Sequence, residues 1–537
     1  MFVTNALQSH RLNYLAKIPS VLHELQAITL SRHKLEKKDP FEICEIFPNI
    51  CNGQLLSLDQ ATKACATKAL KIGVVLSGGP AAGGHNVIAG LWDALQSIHK
   101  DSQLIGFKGG LGGVINNQAM TLNAQIINSF RNQGGFDLLG TGRTKIDSLA
   151  QTESAAQTLV QNDLDGLVII GGDDSNTNAA YLAEFCAQRK LAKTIVGVPK
   201  TIDGDLKNEY LDISFGFDTA CKVYAETIGN IARDALSQKK YYFFVKMMGR
   251  TASHVTLECA LKTQINLALI GEEVSHLKLS LMDITNTICD LICQRAELSK
   301  NYGVILIPEG LLEFIPECLV MIKEINKLLS SGQKDIEQLK GELGAESAHC
   351  YNSLPLDIQR QLLLDRDPHG NIQVSKIETE RLLVDLVTSE LERRSKKGAY
   401  CGQFNAQTYF CGYEGRAALP SNFDCNYCTT LGYIAALLIR DKANGYMCSI
   451  KNLKQDVEQW QLLGIPLTSL FHVEMRNNKT KAVISKALVD LRGPLFKHFT
   501  LQSKRWKLED SYCYPGPMQF AGPQELVDQP PLSLLYI

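Results

Sequence analysis

The sequence predicts an α/β protein with two Rossmann-like, doubly wound lobes whose sheets are parallel, together with an N-terminal helical extension and a helical insertion. Three short aliphatic runs, at residues 72–76, 167–170 and 195–198, each stop at a glycine-rich or polar loop. Runs of this kind are typical of parallel strands buried on both faces. Helical spacing separates them, so the order βαβαβ predicts one parallel sheet with right-handed crossovers. At 537 residues the chain exceeds one ordinary domain, which predicts two or more.

The charge of the chain is nearly balanced. Lys and Arg number 55 and Asp and Glu number 56, a formal net charge of -1, which disfavours nucleic acid and anionic membranes as partners. The start shows no secretory pattern, and no apolar run is long enough to span a bilayer. The sixteen cysteines are scattered, and Cys425 and Cys428 have no second pair, so we expect reduced, mostly buried thiols and no zinc site. These features favour the cytoplasm.

Residues 1–70 are predicted to form a helical extension packed on the body of the protein. Apolar residues occur there at steps of three and four: Leu12, Leu15, Ile18, Leu22 and Leu25. This spacing is typical of an amphipathic helix. We assign no chemistry to the extension.

The strand at residues 72–76 leads into a glycine-rich loop at residues 77–86, and helical spacing follows. A strand, a glycine loop and a helix in this order point backbone N–H groups and a helix dipole at a phosphate. The spacing matches neither the Walker motif nor Gly-x-Gly-x-x-Gly. The alternative is a tight strand-to-helix turn with no ligand.

A second basic candidate is Arg143, in the segment Gly140-Thr141-Gly142-Arg143-Thr144-Lys145. Glycine and hydroxyl neighbours leave the backbone beside this arginine uncluttered, which allows a bidentate phosphate contact. A plain surface arginine is the alternative.

Two aspartates follow the strand at residues 167–170, in Gly171-Gly172-Asp173-Asp174. Carboxylates at the carboxyl end of a buried strand, beside a helix start, are suited to bring a divalent metal and a phosphate together. A helix N-cap could explain one of Asp174, Ser175 and Asn176, but it does not explain both aspartates and both glycines.

The strand at residues 195–198 opens into Pro199-Lys200-Thr201-Ile202-Asp203-Gly204-Asp205. Two carboxylates one residue apart, with a lysine three residues before the first, form a charge group that a stable core does not tolerate. A solvated Asp-Gly turn is the alternative. Because the carboxyl ends of parallel strands meet at one edge, these loops are expected to line a single cleft.

The same strand-to-loop pattern returns later in the chain and predicts a second lobe. Strands at residues 241–245, 303–308 and 407–412 end in loops that carry Arg250, Glu309 and Arg416 respectively. A cation beside glycine at a helix start suits a sugar phosphate. The predicted domains are residues 71–236 for a phosphate- and metal-binding α/β lobe, 237–310 and 398–460 for a sugar-phosphate lobe, 311–397 for the helical insertion, and 461–537 for a C-terminal segment that packs back on the lobes.

On five motifs in a fixed order, the chain resembles the phosphofructokinase family, and within it the pyrophosphate-dependent long-chain branch. The motifs are Gly171-Gly172-Asp173-Asp174, Pro199-Lys200-Thr201-Ile202-Asp203-Gly204-Asp205, Met248-Gly249-Arg250, Pro308-Glu309-Gly310 and Tyr413-Glu414-Gly415-Arg416. The resemblance implies reversible phosphoryl transfer from pyrophosphate to the 1-hydroxyl of fructose 6-phosphate, with Mg²⁺ as cofactor. It also implies a homodimer with shared active sites, because Lys240 and Tyr241 correspond to positions that reach the substrate of the neighbouring subunit.

The resemblance also implies a role for each site residue. Asp203 is the general base, Asp173 holds magnesium, and Lys200 stabilises the charge on the transferred group. Asp174 and Lys200 replace two glycines of the ATP-using relatives, so they exclude the α-phosphate of a nucleotide. Pyrophosphate is contacted by Gly79, Arg143 and Lys200. Fructose 6-phosphate is contacted by Thr201, Ile202, Asp203, Lys240, Tyr241, Met248, Gly249, Arg250, Glu309, Tyr413, Glu414, Gly415 and Arg416.

Three alternatives remain at this stage. The first is an ATP-dependent phosphofructokinase, which Asp174 and Lys200 disfavour. The second is a non-catalytic regulatory subunit, which the joint presence of Asp173, Asp203, Arg250 and Arg416 disfavours. For Tyr241 alone, a core aromatic is the simpler interpretation without the resemblance.

Overall fold

The computed structural model describes residues 5–61, 68–330, 341–364, 372–476 and 479–536. The chain divides into two compact units. Unit 1 comprises residues 1–220, 413–487 and 518–535, and unit 2 comprises residues 221–412, 488–517 and 536–537. Both units contain largely parallel sheets with helices, which confirms the predicted α/β class.

Unit 1 contains a sheet of nine described strands and a separate hairpin. The nine strands are β1 (Ile28–His33), β2 (Leu55–Gln60), β3 (Lys71–Leu76), β4 (Gln103–Phe107), β5 (Ala119–Leu122), β6 (Gly166–Gly171), β7 (Thr194–Pro199), β12 (Tyr446–Lys451) and β13 (Gln461–Pro466). Their order is β1-β2-β13-β12-β7-β6-β3-β4-β5. The five central strands from β12 to β4 are parallel, and the outer neighbours are antiparallel. The hairpin pairs β14 (Phe471–Arg476) with β15 (Lys479–Ile484).

The central strands of unit 1 are parallel because their sequences suit burial on both faces. Every residue of β6 and β7 is buried, and β3 is buried from its second residue onward. Continuous aliphatic runs of this kind need helices on both faces of the sheet. The helices described in unit 1 are Ala6–Leu12, Phe41–Ile46, Gly84–Ile98, Leu111–Ile115, Ala124–Phe130, Leu149–Gln161, Asp173–Gln188, Asn422–Arg440, Gln524–Val527 and Leu532–Leu535.

Unit 2 contains a four-stranded parallel sheet in the order β11-β8-β10-β9. Its strands are β8 (Tyr242–Met247), β9 (Leu267–Ala268), β10 (Gly303–Pro308) and β11 (Ala406–Cys411). Its described helices are most of Phe217–Gln238, and His254–Thr263, Gly271–Leu277, Leu281–Glu297, Leu311–Phe314, Pro316–Ser330, Ala345–Ser353, Leu356–Leu364, Thr379–Lys396 and Pro494–Trp506. One hydrophobic core joins this sheet to the helices between residues 311 and 397, so that insertion is helical as predicted. Residues 331–340 and 365–371 of the insertion lie outside the described residues.

The prediction of a helical extension over residues 1–70 is wrong for most of its length. Only Ala6–Leu12 and Phe41–Ile46 are α-helical among its described residues, while β1 and β2 widen the sheet of unit 1. The apolar spacing that suggested a longer helix is interrupted at Pro19, and Leu15 is 85% exposed. Leu56 and Leu58 alternate with more exposed residues in β2, which is the period of a strand.

The predicted domain boundaries also need correction. Residues 413–460 belong to unit 1, because β12 pairs with β7 and the helix Asn422–Arg440 packs on Gly84–Ile98. Gly90 and Gly432 permit this packing, since a Cβ on either glycine would clash with the backbone of the facing helix. The C-terminal segment is divided as well: residues 461–487 are in unit 1, whereas 488–517 are in unit 2.

Most of the described cysteines are free and buried, as expected. Cys44 and Cys51 form a disulfide, so the expectation of reduced thiols does not hold for this pair. Cys425 and Cys428 are free and buried, as expected. In the part of the chain that the structure describes, none of the helices has the length and apolar character needed to cross a membrane.

Candidate active site

The carboxyl edge of the unit 1 sheet contains a point where the strand order reverses. From β3 the chain passes to β4 on one side and later to β6 on the other. In doubly wound sheets, ligands bind at such a switch point, outside the carboxyl ends of the strands. The loops after β3, β6 and β7 therefore form the candidate donor site of unit 1.

The loop after β3 is fixed by a second glycine-rich loop. The Gly78 N–H donates to the Gly142 carbonyl at 3.0 Å, and the Thr141 hydroxyl donates to the Gly78 carbonyl at 2.6 Å. Gly83 ends the first loop with a φ of 111° and leads directly into a helix. Because a Cβ at Gly83 would clash with the Cys428 sulfur, this turn requires glycine.

Gly79, the predicted pyrophosphate contact, lies against Arg416. A Cβ at Gly79 would be 3.5 Å from the Arg416 guanidinium carbon. That carbon lies 4.9 Å from the centre of the exposed Tyr413 ring, within the 3₁₀ turn Tyr413–Arg416. In the same turn, Glu414 is exposed and Gly415 is buried. The structure therefore places this turn beside the glycine-rich loop after β3 in unit 1, and not in the lobe to which the sequence assigned it.

Lys200 is the buried cation of the donor site. The residue is 7% exposed, and its Nζ lies 3.4 Å from where a Cβ of Gly78 would be. Burial lowers the pKa of Lys200 to about 8, although the carboxylates of Asp203 and Asp173 act in the opposite direction. The guanidinium of Arg416 adds to the lowering. A cation with a depressed pKa among carboxylates is typical of a functional site.

Asp203, the predicted general base, lies three residues after Lys200 in a loop that is held by hydrogen bonds of its own polar groups. The Asp203 N–H donates to the Thr201 hydroxyl oxygen at 3.1 Å, and the Ser214 hydroxyl donates to the Thr201 carbonyl at 3.0 Å. Ile202 is buried, which anchors the loop, while Asp203 is half-buried. The Asp203 side chain therefore projects from a fixed turn.

Two further carboxylates meet one ammonium group at this edge. The Lys486 Nζ lies 3.4 Å from Asp173 Oδ2 and 3.6 Å from Asp205 Oδ2. Burial raises the pKa of Asp173, but the Lys486 charge, the Asp174 N–H and Lys200 together bring that pKa below its usual value. Asp173 is therefore ionised at neutral pH. Oxygen donors of this kind are those that Mg²⁺ prefers, usually one or two carboxylates together with substrate phosphates.

Asp174, the residue after Asp173, forms an ion pair with a different lysine. The Asp174 carboxylate is 66% exposed and lies 2.9 Å from the Lys145 ammonium. Arg143, two residues before Lys145, is exposed. The structure thus brings Lys145 to Asp174, whereas the sequence pattern favoured Arg143 as the phosphate-binding cation of that segment.

His85, in the first turn of the helix Gly84–Ile98 that follows the glycine-rich loop, has a structural role. It is buried, its Nδ1 is 3.2 Å from the Gln133 carbonyl, and its Nε2 accepts the Leu138 N–H at 3.3 Å. Burial lowers the pKa of His85 to about 4 despite the nearby Asp137 carboxylate. The imidazole is therefore neutral and ties the loop to the following segment.

In unit 2, the loops after the adjacent strands β8 and β10 come together at one edge of the sheet. The Glu309 N–H donates to the Met247 carbonyl at 2.8 Å, and a Cβ at Gly310 would clash with the Arg250 carbonyl. Gly249 has a φ of 115°, a conformation that favours glycine. Arg250 is exposed and Glu309 is 7% exposed, so a cation and a carboxylate are held at this edge.

Three other predicted sugar-phosphate contacts lie near the start and end of β8. Met248 follows the strand, is buried, and its N–H donates to the Cys411 carbonyl at 3.2 Å. Lys240 and Tyr241 precede the strand, and the Lys240 Nζ lies 5.1 Å from the centre of the Tyr241 ring. Lys240 is exposed and Tyr241 is half-buried. Tyr241 is therefore not an ordinary core aromatic.

Comparison with known proteins decides the family. The family profile described as "Phosphofructokinase" matches residues 71–439. The chain belongs to the phosphofructokinase family. Two relatives are the "Pyrophosphate--fructose 6-phosphate 1-phosphotransferase subunit beta 1" of Arabidopsis thaliana and the "Pyrophosphate--fructose 6-phosphate 1-phosphotransferase" of Treponema pallidum. The first is 50% identical over 97% of this chain and 92% of its own length, and the second is 46% identical over 98% and 96%.

Solved structures support the phosphofructokinase fold. A pyrophosphate-dependent phosphofructokinase from Nitrosospira multiformis matches with a TM-score of 0.56 and 15% identity, over 86% of this chain and 97% of that chain. A second, from Marinobacter aquaeolei, has a TM-score of 0.54 and 15% identity, over 82% of this chain and 93% of that chain. At such low identity these matches establish the fold alone.

Two lysines that contact the predicted acidic residues could not be identified from the sequence pattern. Lys145 stood in a quoted motif, and its position four residues before a helix that begins at residue 149 gave no reason to prefer it to Arg143. Lys486 follows β15 in the C-terminal segment, for which only packing was predicted. No local pattern marks Lys486, because its partners Asp173 and Asp205 are distant in sequence.

Proposed function

We propose that this chain transfers a phosphoryl group from pyrophosphate to the 1-hydroxyl of fructose 6-phosphate, giving fructose 1,6-bisphosphate and phosphate. The reaction is reversible and serves glycolysis or gluconeogenesis. One observation carries the proposal: relatives from plants, bacteria and an amoeba, 43–50% identical over nearly the whole chain, bear the name of this activity. The charged groups at the carboxyl edge of the unit 1 sheet supply the chemistry that such a reaction needs.

Asp203 acts as the general base that accepts the proton of the sugar 1-hydroxyl during attack. This role is supported by the fixed turn, in which the Asp203 N–H donates a hydrogen bond to the Thr201 hydroxyl oxygen. Lys200 places a positive charge beside the transferred phosphoryl group and the departing phosphate. Positioning and electrostatics then account for the transfer, and no covalent enzyme intermediate is needed.

The residues present fit a magnesium ion. Asp173 and Asp205 each place a carboxylate oxygen within 4 Å of one ammonium, and such oxygens suit Mg²⁺ together with phosphate ligands. We propose Asp173 as the protein ligand. When bound, the ion would neutralise negative charge on the diphosphate. Asp205 orients this end of the site.

The choice of donor rests on Asp174 and Lys200. Asp174 adds an exposed carboxylate beside the phosphate loops, where it opposes the α-phosphate of a nucleotide. Lys200 fills the space behind Gly78 and Gly172 with a charged side chain. Gly79 and Arg143 complete the proposed pyrophosphate contacts. ATP is disfavoured by the same two residues that favour pyrophosphate.

We propose the fructose 6-phosphate contacts from the family motifs and assign each residue to the unit that contains it. Unit 1 supplies Thr201, Ile202, Asp203, Tyr413, Glu414, Gly415 and Arg416, and unit 2 supplies Lys240, Tyr241, Met248, Gly249, Arg250 and Glu309. Arg250 provides charge for the 6-phosphate, and the buried Glu309 accepts hydrogen bonds from sugar hydroxyls. Arg416 retains its proposed 6-phosphate role from the family motif, and its position against Gly79 makes pyrophosphate the alternative partner.

We also propose a homodimer in which Lys240 and Tyr241 of one subunit reach the substrate of the other. The exposed Lys240 and the half-buried Tyr241 ring support this proposal, since both are accessible in the single chain. A cytoplasmic location fits an enzyme of sugar phosphate metabolism.

The decisive experiment offers the purified chain pyrophosphate and ATP separately, each with fructose 6-phosphate, with and without Mg²⁺. We expect fructose 1,6-bisphosphate only with pyrophosphate and Mg²⁺. Product from ATP alone would identify an ATP-dependent phosphofructokinase. No product with either donor, together with retained fructose 6-phosphate binding, would identify a non-catalytic subunit.

The double variant Asp174→Gly with Lys200→Gly tests the steric part of the proposal. We expect ATP use to rise relative to pyrophosphate use, because both groups that oppose the α-phosphate are removed. The matched control is Asp147→Asn, which removes an exposed carboxylate of the same unit. An unchanged donor ratio in the double variant would contradict the steric account.

A further inference from the structure

Lys486 is a charged group of unit 1 to which neither the motifs nor the proposed mechanism assigns a role. Its Nζ lies between two carboxylates, 3.4 Å from Asp173 and 3.6 Å from Asp205. Its side chain is 32% exposed, against 36% for Asp173 and 9% for Asp205. The ammonium is therefore partly withdrawn from solvent, which strengthens its interaction with the two acids.

The backbone fixes the position of this lysine. The Ala487 N–H donates to the Asp205 carbonyl at 2.7 Å, and the Ser485 N–H donates to the Leu470 carbonyl at 2.9 Å. Hydrogen bonds on both sides of Lys486 thus tie its segment to the loop after β7 and to the start of the hairpin. A surface lysine that reached the acids by chance would not need this anchoring.

The charges explain why a cation is needed here. Asp173 and Asp205 are both acidic, and the proposed donor is itself a polyanion. Without a compensating charge, two carboxylates at this edge would repel the incoming diphosphate. Lys200 lies in the same site, but its charge is also shared with Asp203.

We propose that Lys486 is a positioning residue for the diphosphate end of the active site. Its ammonium holds the carboxylates of Asp173 and Asp205 close to each other and offsets their negative charge, so that the diphosphate can approach. The inference rests on the proposed function, since it assumes that a diphosphate binds at this edge. Lys486 lies outside residues 71–439, the stretch that the family profile matches.

The test compares Lys486→Met and Lys486→Arg with the control Lys481→Met. Lys481 is an exposed lysine on β15, so its replacement removes one positive charge from the hairpin that precedes Lys486. Two measurements are made on the full chain: steady-state KM values for pyrophosphate and for fructose 6-phosphate, and Mn²⁺ binding without substrates by electron paramagnetic resonance. Thermal unfolding is recorded for each variant.

We expect opposite changes in the two measurements for Lys486→Met. The KM for pyrophosphate rises about tenfold while the KM for fructose 6-phosphate stays nearly constant, because a positive charge is lost beside the anion. Mn²⁺ binds more tightly, because the two carboxylates no longer share an ammonium. Lys486→Arg restores most of both values, and Lys481→Met behaves as the unaltered chain.

Other results would overturn the inference. Unchanged KM for pyrophosphate and unchanged Mn²⁺ affinity in Lys486→Met would mean that the lysine has no influence on the site. Weaker binding of both ligands with a lower melting temperature would mean that it only tethers the hairpin segment. If the unaltered chain used no pyrophosphate, the proposed function would fail, and the Mn²⁺ measurement would still decide whether Lys486 restrains the carboxylates.

Discussion

Two lysines, one in each unit, are almost equally buried but have different surroundings. Lys200 is 7% exposed and follows β7, and Lys246 is 4% exposed on β8. The Lys246 Nζ donates to the Ile377 carbonyl at 3.1 Å, lies 3.2 Å from Glu380, and lies 4.6 Å from the centre of the Phe410 ring. All of its partners are fixed core groups, so Lys246 fastens the helical insertion to the sheet of unit 2.

Lys200 has no such single partner. It is surrounded by Asp173, Asp203, Asp205 and Arg416, whose charges act on it from several directions. Glycines of two loops approach its Nζ, where larger residues would fill the space. The comparison teaches that burial alone does not identify a functional lysine. The distinguishing feature is a position at the carboxyl end of a strand among several carboxylates, instead of one matched partner in a core.

The largest expected effect lies next to Lys200 and tests whether this edge carries the chemistry. Asp203→Asn should lower kcat by about 10²–10⁴-fold, the usual contribution of a general base. Binding of fructose 6-phosphate should be retained, because the amide keeps the size of the side chain. Stopped assays of fructose 1,6-bisphosphate formation and equilibrium binding of the sugar phosphate give the two values.

The control for this prediction is again Asp147→Asn, which should leave kcat within about twofold. If Asp203→Asn lost sugar phosphate binding but kept turnover, Asp203 would be a binding residue only. The general base would then have to be another residue.

The next effect separates the two lysines directly. Lys246→Met should lower the free energy of unfolding by about 3–5 kcal/mol, because Glu380 is left buried without its cation. Lys200→Met should instead lower kcat/KM for pyrophosphate by about tenfold or more, with little loss of stability, because a charge that is costly to bury is removed. Denaturant unfolding and steady-state kinetics on both variants measure the contrast.

A second substitution checks the cause of the Lys246 effect. Lys246→Met combined with Glu380→Leu should recover part of the lost stability, since the uncompensated carboxylate is gone. If Lys200→Met and Lys246→Met lost activity and stability to the same extent, the distinction between a functional Lys200 and a structural Lys246 would be wrong.

The sequence was informative where the structure depends on local pattern. The aliphatic runs of β3, β6 and β7 and the glycine loops after them could be predicted, because burial on both faces and phosphate-binding turns leave a signal within a few residues. The short alternation at Leu56 and Leu58 in β2 was too weak a signal beside the helical spacing earlier in the N-terminal segment, from Leu12 to Leu25. The fold class was predictable for this reason, and the N-terminal strands were not.

Long-range pairings could not be predicted in the same way. The attachment of β12 to β7, which moves residues 413–460 into unit 1, depends on contacts between distant segments. The same holds for Lys486 with Asp173, and for Lys246 with Glu380 in the insertion. Charges whose partners lie far along the chain carry no periodicity, so the sequence shows their presence but not their pairing.

The smallest expected effect is a pH dependence that belongs to Lys200. Burial lowers its pKa to about 8, so the ammonium is present below this pH and is lost as pH rises through it. Since kcat/KM reports the free enzyme, kcat/KM for pyrophosphate should fall above pH 8 by about tenfold per unit. In Lys200→Arg the guanidinium stays charged, and this fall should move to higher pH.

Comparison of the two pH profiles isolates the lysine from the ionisation of pyrophosphate, which is the same in both assays. The kcat/KM profile of the unaltered chain and that of Lys200→Arg are therefore each normalised to the value at neutral pH, and the ratio of the two profiles is followed as pH rises. A ratio that changes near pH 8 assigns the titration to Lys200. A constant ratio would mean that Asp173 and Asp203 keep Lys200 protonated throughout this range, and the distinction between the two lysines would then rest on position alone.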